Sequence, residues 1–134
     1  MKAEILHFKK IKDPRGNLSV VQEFKDVPFN IERVYWIYDI PSDEFRAGHA
    51  YKEQIECIIA LSGSFSIEVN DGNEIIKHHL HSPSTGLLLP PKHWRQLNDF
   101  STNCVCLVLT SMIYNADDYI RNYDDFLSFT KSFK

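Results

Sequence analysis

The stretch R-A-G-H-A-Y-K-E-Q-I-E-C-I-I-A-L-S-G, residues 46–63, sets a short group of ionisable side chains directly against an apolar run. Ile55, Cys57, Ile58, Ile59, Ala60 and Leu61, bounded by Ser62-Gly63, read as a strand of the core. Alternate residues of an extended chain point the same way, so the polar segment before it carries His49 and Tyr51 toward one face. Arg46 and Glu53 lie close by in sequence. Imidazole titrates near neutral pH and moves a proton in either direction, which makes this group a candidate acid/base constellation. A histidine on a strand is also commonly a hydrogen-bonded structural residue, and from these residues alone both readings stand.

Outward from this stretch the chain is a succession of short extended segments separated by turn signals. Ile5 to Ile11 is followed by Asp13-Pro14-Arg15-Gly16-Asn17, a turn with Arg15 at its tip, and then by Leu18 to Phe24. Ile31 to Tyr38 is rich in β-branched and aromatic residues and places Arg33, Tyr35 and Ile37 on one side, Val34, Trp36 and Tyr38 on the other. Beyond Gly63, Phe65, Ile67 and Val69 alternate with polar residues up to Asp71-Gly72, a strong hairpin signal, and Glu74 to His81 pairs back across it. His79 and His81 share a face, but no third ligand is signalled beside them, so they read as a solvated strand edge rather than a metal site. Leu87 to Leu89, His93 to Leu97 and Val105 to Leu109 are further strands. After Asn115 the pattern changes: Asn115 or Asp117 caps a helix, and Tyr119, Ile120, Tyr123, Phe126 and Leu127 recur at helical spacing. Roughly ten short strands with regular turns predict an all-β jelly roll with a short C-terminal helix.

Composition narrows the class. The 134 residues make one domain, spanning 1–134, large enough to bury a core without staples. A net charge of −3 supplies no basic field for nucleic acid. No apolar run has the length of a membrane span, and the N-terminus lacks the pattern of a signal peptide, so a cytoplasmic protein is expected. Cys57, Cys104 and Cys106 are odd in number and sit in apolar runs, which reads as reduced core thiols.

The ordered set D-P-R-G-N-L, E-R-V-Y-W-I-Y, R-A-G-H-A-Y-K, A-L-S-G-S-F, P-P-K-H-W-R and D-D-Y-I-R-N-Y-D-D-F resembles the sugar-nucleotide 3,4-ketoisomerases, small RmlC-like cupins. The likeness runs from about Phe8 to Phe126. It implies a cupin jelly roll that acts on dTDP-4-keto-6-deoxyglucose with no metal or other cofactor, supplying aminated deoxysugars for surface glycans such as lipopolysaccharide. It also implies a homodimer whose N-terminal strands, Ile5 to Ile11, lie in or near the contact. Moving a carbonyl from C4 to C3 needs a base for the C3 proton, an enediol, and a proton returned at C4. His49 matches the family's catalytic histidine. Where many members carry a second histidine, thought to relay the proton between the two oxygens, this chain has Tyr51. Either Tyr51 substitutes, or solvent or another side chain carries that step. The missing histidine also argues against a metal-dependent cupin; Glu53, Glu56 and His93 are conceivable replacement ligands without supporting spacing.

Substrate binding falls to Arg33, Arg46 and Arg95 for phosphate or sugar oxygens and to Tyr35 or Trp94 for stacking. The alternatives are plain: Arg33 and Tyr35 as surface residues, Trp94 as core. Arg15 and Arg95 stand at positions that vary in the family and shape the face from which C4 is reprotonated, a gluco or a galacto outcome. Two other readings remain open, a related sugar-nucleotide epimerase and a non-catalytic nucleotide-sugar-binding cupin.

Overall fold

The computed structural model describes residues 1–41 and 46–131, with the side chains of residues 46 and 47 outside the description. Their chain order is β1 (Glu4–His7), β2 (Lys10–Ile11), β3 (Leu18–Ser19), β4 (Arg33–Ile37), β5 (Arg46–Tyr51), β6 (Glu56–Ser62), β7 (Phe65–Asn70), β8 (Ile75–Leu80), β9 (Thr85–Leu89), β10 (Trp94–Asn98), β11 (Val105–Thr110), β12 (Tyr119–Ile120) and α1 (Tyr123–Lys131). Two antiparallel five-stranded sheets form, ordered β1-β9-β6-β11-β4 and β12-β5-β10-β7-β8, with β2 and β3 as a separate ribbon. The expected all-β fold with one short C-terminal helix is what forms.

Side-chain alternation builds three apolar layers. Ile58 and Ala60 of the first sheet meet Phe65, Ile67 and Leu97 of the second to make the central core. Cys57 and Ile59, the other face of β6, are covered by Phe8, Val27 and Phe29. This explains why residues 56–60 are buried without interruption and why their apolar run does not alternate. The outer face of the second sheet is covered by α1, whose Phe126 packs with Ala50, Trp94 and Ile120. The three cysteines are free and buried, and burial pushes the Cys57 thiol up to about 12.

Two turns follow the sequence closely. The Gly16 amide donates to the Asp13 carbonyl at 2.9 Å in the turn between β2 and β3, and Gly72 takes a φ of 98° where β7 reverses into β8. At the C-terminus the expectation of a helix from Asn115 is overturned. Asn115 does cap, its side chain accepting from the Asp117 amide at 3.0 Å, but it caps a single 3₁₀ turn, Ala116–Asp118. Tyr119 and Ile120 then extend along β5 opposite Tyr51 and Ala50, and α1 begins only at Tyr123. The free edge of β5 offers these residues backbone partners, and the long-range pairing outweighs the local helical spacing.

The β5–β10 ladder is irregular where it matters most. Arg95 pairs with His49 but Leu97 with Arg46, so β5 carries an extra residue just before His49. Such a bulge re-aims the side chains beside it. At this place the Trp94 indole lies against the β5 backbone, and a Cβ added to Gly48 would sit 2.4 Å from its Nε1. Gly48→Ala is therefore expected to destabilise the protein by about 1–3 kcal/mol, the usual range for overpacking, read as a lower urea midpoint with an unchanged slope.

Candidate active site

Between the sheets lies a cavity of about 600 Å³ whose walls include Arg33 and Tyr35 from β4, His49 and Tyr51 from β5, Glu56 from β6 and Arg95 from β10. Strand alternation explains the set. Arg33 and Tyr35 are the inward residues of β4, while Val34 and Trp36 face out. His49 and Tyr51 are inward on β5, and Ala50 between them packs outward under α1. Tyr114, Tyr119 and Arg121, from the segment after β11, complete the wall.

A buried ion pair crosses the cavity between the two sheets. Arg95 Nη1 donates to Glu56 Oε1 at 2.6 Å, and both side chains are 1% exposed. Taking two charges out of water is costly unless the remaining polar atoms are paired. Here they are: Glu56 Oε2 accepts from the Tyr35 hydroxyl at 2.9 Å and from Gln54 Nε2 at 2.8 Å, while Arg95 Nε and Nη2 donate to the His93 carbonyl at 3.3 and 3.2 Å. The guanidinium also lies over the Tyr51 ring, 4.9 Å from its centroid.

This arrangement keeps the phenols protonated. Burial, and then the Glu56 carboxylate, push the Tyr35 hydroxyl above the ordinary phenol range. Burial, Glu56 and a hydrogen bond with the Tyr119 hydroxyl push Tyr51 the same way. His49 meets the Tyr51 ring edge-on at 5.0 Å and the Tyr119 ring at 5.6 Å, so one imidazole and two phenols share a corner of the cavity. Cationic groups stand nearby: Arg121 lies 4.1 Å over the Tyr119 ring, and Arg33 lies 5.2 and 5.6 Å over Tyr35 and Tyr114. Arg33 Nη2 reaches Gln54 Oε1 at 3.5 Å, and its Nε is buried with no hydrogen-bond partner among the described residues.

The structure sorts the residues singled out from the sequence. It brings His49, Tyr51, Arg33, Tyr35 and Arg95 together around one cavity. Trp94 does not line it: neighbouring Arg95 points inward, so Trp94 points outward, where its indole meets Tyr123 and Phe126 at 5.3 and 5.7 Å. Arg15 is also elsewhere, 90% exposed at the tip between β2 and β3 and paired with Asp13 at 2.8 Å. The side chain of Arg46 falls outside the described residues. His79 stands on the edge strand β8, its Nδ1 3.1 Å from Ser66 Oγ. Among the described residues no three His, Cys, Asp or Glu side chains are grouped to hold a metal.

From the sequence Glu56 reads only as a conceivable metal ligand and Tyr119 only as part of a helical pattern, and neither Tyr114 nor Arg121 is singled out as a site residue. Glu56 had a signal, a charge on the same face of β6 as Ile58 and Ala60, which asks for a buried partner. Tyr119 had none, because only the β5–β12 pairing sets it opposite Tyr51.

A protein family described as FdtA, WxcM-like, C-terminal matches residues 1–131 of this chain. A TDP-4-oxo-6-deoxy-alpha-D-glucose-3,4-oxoisomerase of Aneurinibacillus thermoaerophilus is 43% identical over 126 residues, covering 94% of this chain and 91% of the relative. Among solved structures, a histidine-to-asparagine mutant of the 3,4-ketoisomerase QdtA from Thermoanaerobacterium thermosaccharolyticum, in complex with TDP-4-keto-6-deoxyglucose, is 37% identical, with a TM-score of 0.95 over 97% of this chain and 94% of that one. The TDP-quinovose 3,4-ketoisomerase WlaRB of Campylobacter jejuni is 41% identical, with a TM-score of 0.91 over 94% of this chain and 97% of that one.

Removing one member of the Glu56–Arg95 pair leaves the other charge buried and uncompensated. Glu56→Ala is expected to destabilise the protein by about 3–5 kcal/mol, measured by urea unfolding. A change of less than about 1 kcal/mol would place the pair in contact with solvent.

Proposed function

Because the chain belongs to the FdtA, WxcM-like C-terminal family, we propose that it isomerises dTDP-4-keto-6-deoxyglucose to the dTDP-linked 3-keto-6-deoxyhexose, as one domain spanning 1–134 and without a metal. The observation that carries this reading is the cavity corner where His49 faces the rings of Tyr51 and Tyr119 beside the Glu56–Arg95 pair. His49 takes the C3 proton; the electron pair left behind forms the C3–C4 double bond of an enediol, and O4 gains a proton. Transfer of the O3 proton away then leaves the C3 carbonyl, and C4 takes a proton back from His49. Within this reading the relay between the oxygens falls to the corner of the cavity where the Tyr51 and Tyr119 rings meet at 4.6 Å. Arg95, locked by Glu56, presents a fixed positive charge that favours the electron-rich enediolate over the ketone.

Arg33 and Arg121 line the cavity, and Arg33 Nε has no acceptor among the described residues, which suits the diphosphate of a nucleotide sugar. Arg46, beside Gly48 in sequence, is kept as a further candidate for the sugar or phosphate. The product would go to aminated deoxysugars of surface glycans such as lipopolysaccharide, and the reaction is assigned to the cytoplasm. No helix among the described residues is long and apolar enough to cross a membrane.

The same proposal includes a homodimer. Val34, Trp36, Tyr38 and Leu61 make an exposed apolar surface on the outer face of the first sheet, and a second copy is the partner assigned to it. β1, which overlaps the stretch Ile5 to Ile11 expected near the contact, is the edge of that sheet opposite β4. Arg15, remote from the cavity of its own chain, would then serve a substrate only from across such a contact. Wild-type protein is expected to scatter light as a dimer at micromolar concentration and Trp36→Asp as a monomer; a monomeric wild type removes this part of the proposal.

The activity is tested by incubating the protein with dTDP-4-keto-6-deoxyglucose in deuterated buffer and following the sugar ring by NMR, with and without chelator. Wild type is expected to form the 3-keto isomer in both. His49→Asn is expected to bind the nucleotide sugar but lose both isomerisation and deuterium uptake at C3, because an amide cannot take the proton. Binding without any turnover by wild type would instead make the protein a nucleotide-sugar-binding cupin, and deuterium incorporation without carbonyl migration would make it an epimerase.

A further inference from the structure

The corner of the cavity holding His49 contains two phenols whose situations differ. Tyr51 is 1% exposed, its ring held between the Arg95 guanidinium at 4.9 Å and the Tyr119 ring at 4.6 Å. Its hydroxyl is engaged with that of Tyr119. Tyr119 is only half-buried and lines the same cavity, and Arg121 closes over its ring. A group that exchanges protons with a substrate must reach it, and of the two Tyr119 has the accessible surface.

Tyr119 is also held in place more firmly than a two-residue strand would suggest. It pairs directly opposite Tyr51, and the residue before it, Asp118, is buried and ties the segment to the turn after β5. One carboxylate oxygen of Asp118 accepts from the Glu53 amide at 2.9 Å and the other from the Gln54 amide at 3.1 Å, while its backbone carbonyl accepts from the Lys52 amide at 2.9 Å. Three hydrogen bonds from consecutive amides fix the approach of the Tyr119 ring to His49.

We propose that Tyr119 is the catalytic residue that carries the proton between the two substrate oxygens, and that Tyr51, packed behind it, is a positioning residue. The inference rests on the 3,4-ketoisomerase reading above. As His49 removes the C3 proton, the electron pair of the broken C–H bond forms the C3–C4 double bond, and the carbonyl π pair moves to O4, which takes the Tyr119 proton. The Tyr119 oxygen accepts the O3 proton, the O3–H pair becomes the C3 carbonyl bond, and the enediol π pair takes the proton from His49 at C4. The phenol is regenerated, one proton has moved from O3 to O4, and nothing is oxidised or reduced overall. A phenol suits this role because it donates and accepts through one oxygen without becoming charged when the two transfers are concerted.

The test compares Tyr119→Phe, Tyr51→Phe and Tyr119→His with wild type, measuring kcat and KM for dTDP-4-keto-6-deoxyglucose, TDP affinity by calorimetry, and the ratio of deuterium uptake at C3 to isomer formed. Tyr119→Phe is expected to lower kcat about 100-fold or more, the usual contribution of a positioned acid/base, with TDP affinity retained. Its exchange-to-isomerisation ratio should rise, since enolisation outlives the lost oxygen relay. Tyr51→Phe should lose less than about tenfold and keep the wild-type ratio, and Tyr119→His should recover part of the activity, imidazole being able to relay. Turnover by wild type with Tyr119→Phe within about threefold of it overturns this inference alone. So does a loss of TDP affinity that accounts for the lost turnover, or a larger effect from Tyr51→Phe than from Tyr119→Phe. No turnover by wild type overturns the functional reading, and this inference with it.

Discussion

The charge pair between Glu56 and Arg95 is a buried ionic connection across the interior, joining β6 of the first sheet to β10 of the second. A carboxylate and a guanidinium removed from water would be a heavy penalty in an apolar sandwich unless neighbouring polar groups satisfy them. Tyr35 and Gln54 complete the carboxylate, the His93 carbonyl completes the guanidinium, and the Tyr51 ring receives its face. The positions of two cavity phenols and the spacing of the sheets at this end thus follow from one electrostatic requirement. A buried network of this kind holds its members in a single arrangement because any departure leaves a charge unpaired.

Around that connection the packing divides the molecule by function. The central core fills the space between the sheets at one end and gives way at the other to the cavity, where the inward positions of β4, β5, β6 and β10 turn from aliphatic to ionisable and aromatic. Behind the second sheet, Trp94 and α1 brace β5 at the bulge that aims His49. The helix is remote from the cavity and still bears on it, because its apolar face supports the strand that carries the base. Behind the first sheet the cover is partial, and Val34, Trp36 and Tyr38 remain exposed on the reverse side of the strand whose inner side carries Arg33 and Tyr35.

The chemistry of the cavity depends on keeping opposite tendencies apart. Burial and the Glu56 carboxylate hold Tyr35 and Tyr51 in their protonated form, while an imidazole is the kind of side chain that both takes and returns a proton. Guanidinium groups sit against aromatic faces at Arg33, Arg95 and Arg121. Stacking covers the face of a guanidinium and leaves its N–H edge for oxygen acceptors, which at Arg95 are Glu56 and the His93 carbonyl. Relatives that match along nearly the whole chain carry 3,4-ketoisomerase names.

What the sequence determined by itself is what a period of two encodes. It specified the strands, the hairpin at Asp71-Gly72, and the sharing of a face by His49 with Tyr51 and by Arg33 with Tyr35, because alternation is a property of each strand alone. Tertiary structure decided which strands stand side by side, and so which of those faces meet. Glu56 finds Arg95 39 residues away, and Tyr119 leaves a helical pattern to pair with Tyr51 along the free edge of β5. The same step sent Trp94 into the cover under α1 and left Arg15 on an exposed turn. Local spacing is indifferent to these outcomes: a residue's partner across a sheet depends on strand order, and strand order is settled by burying both faces of β6 and β10 at once.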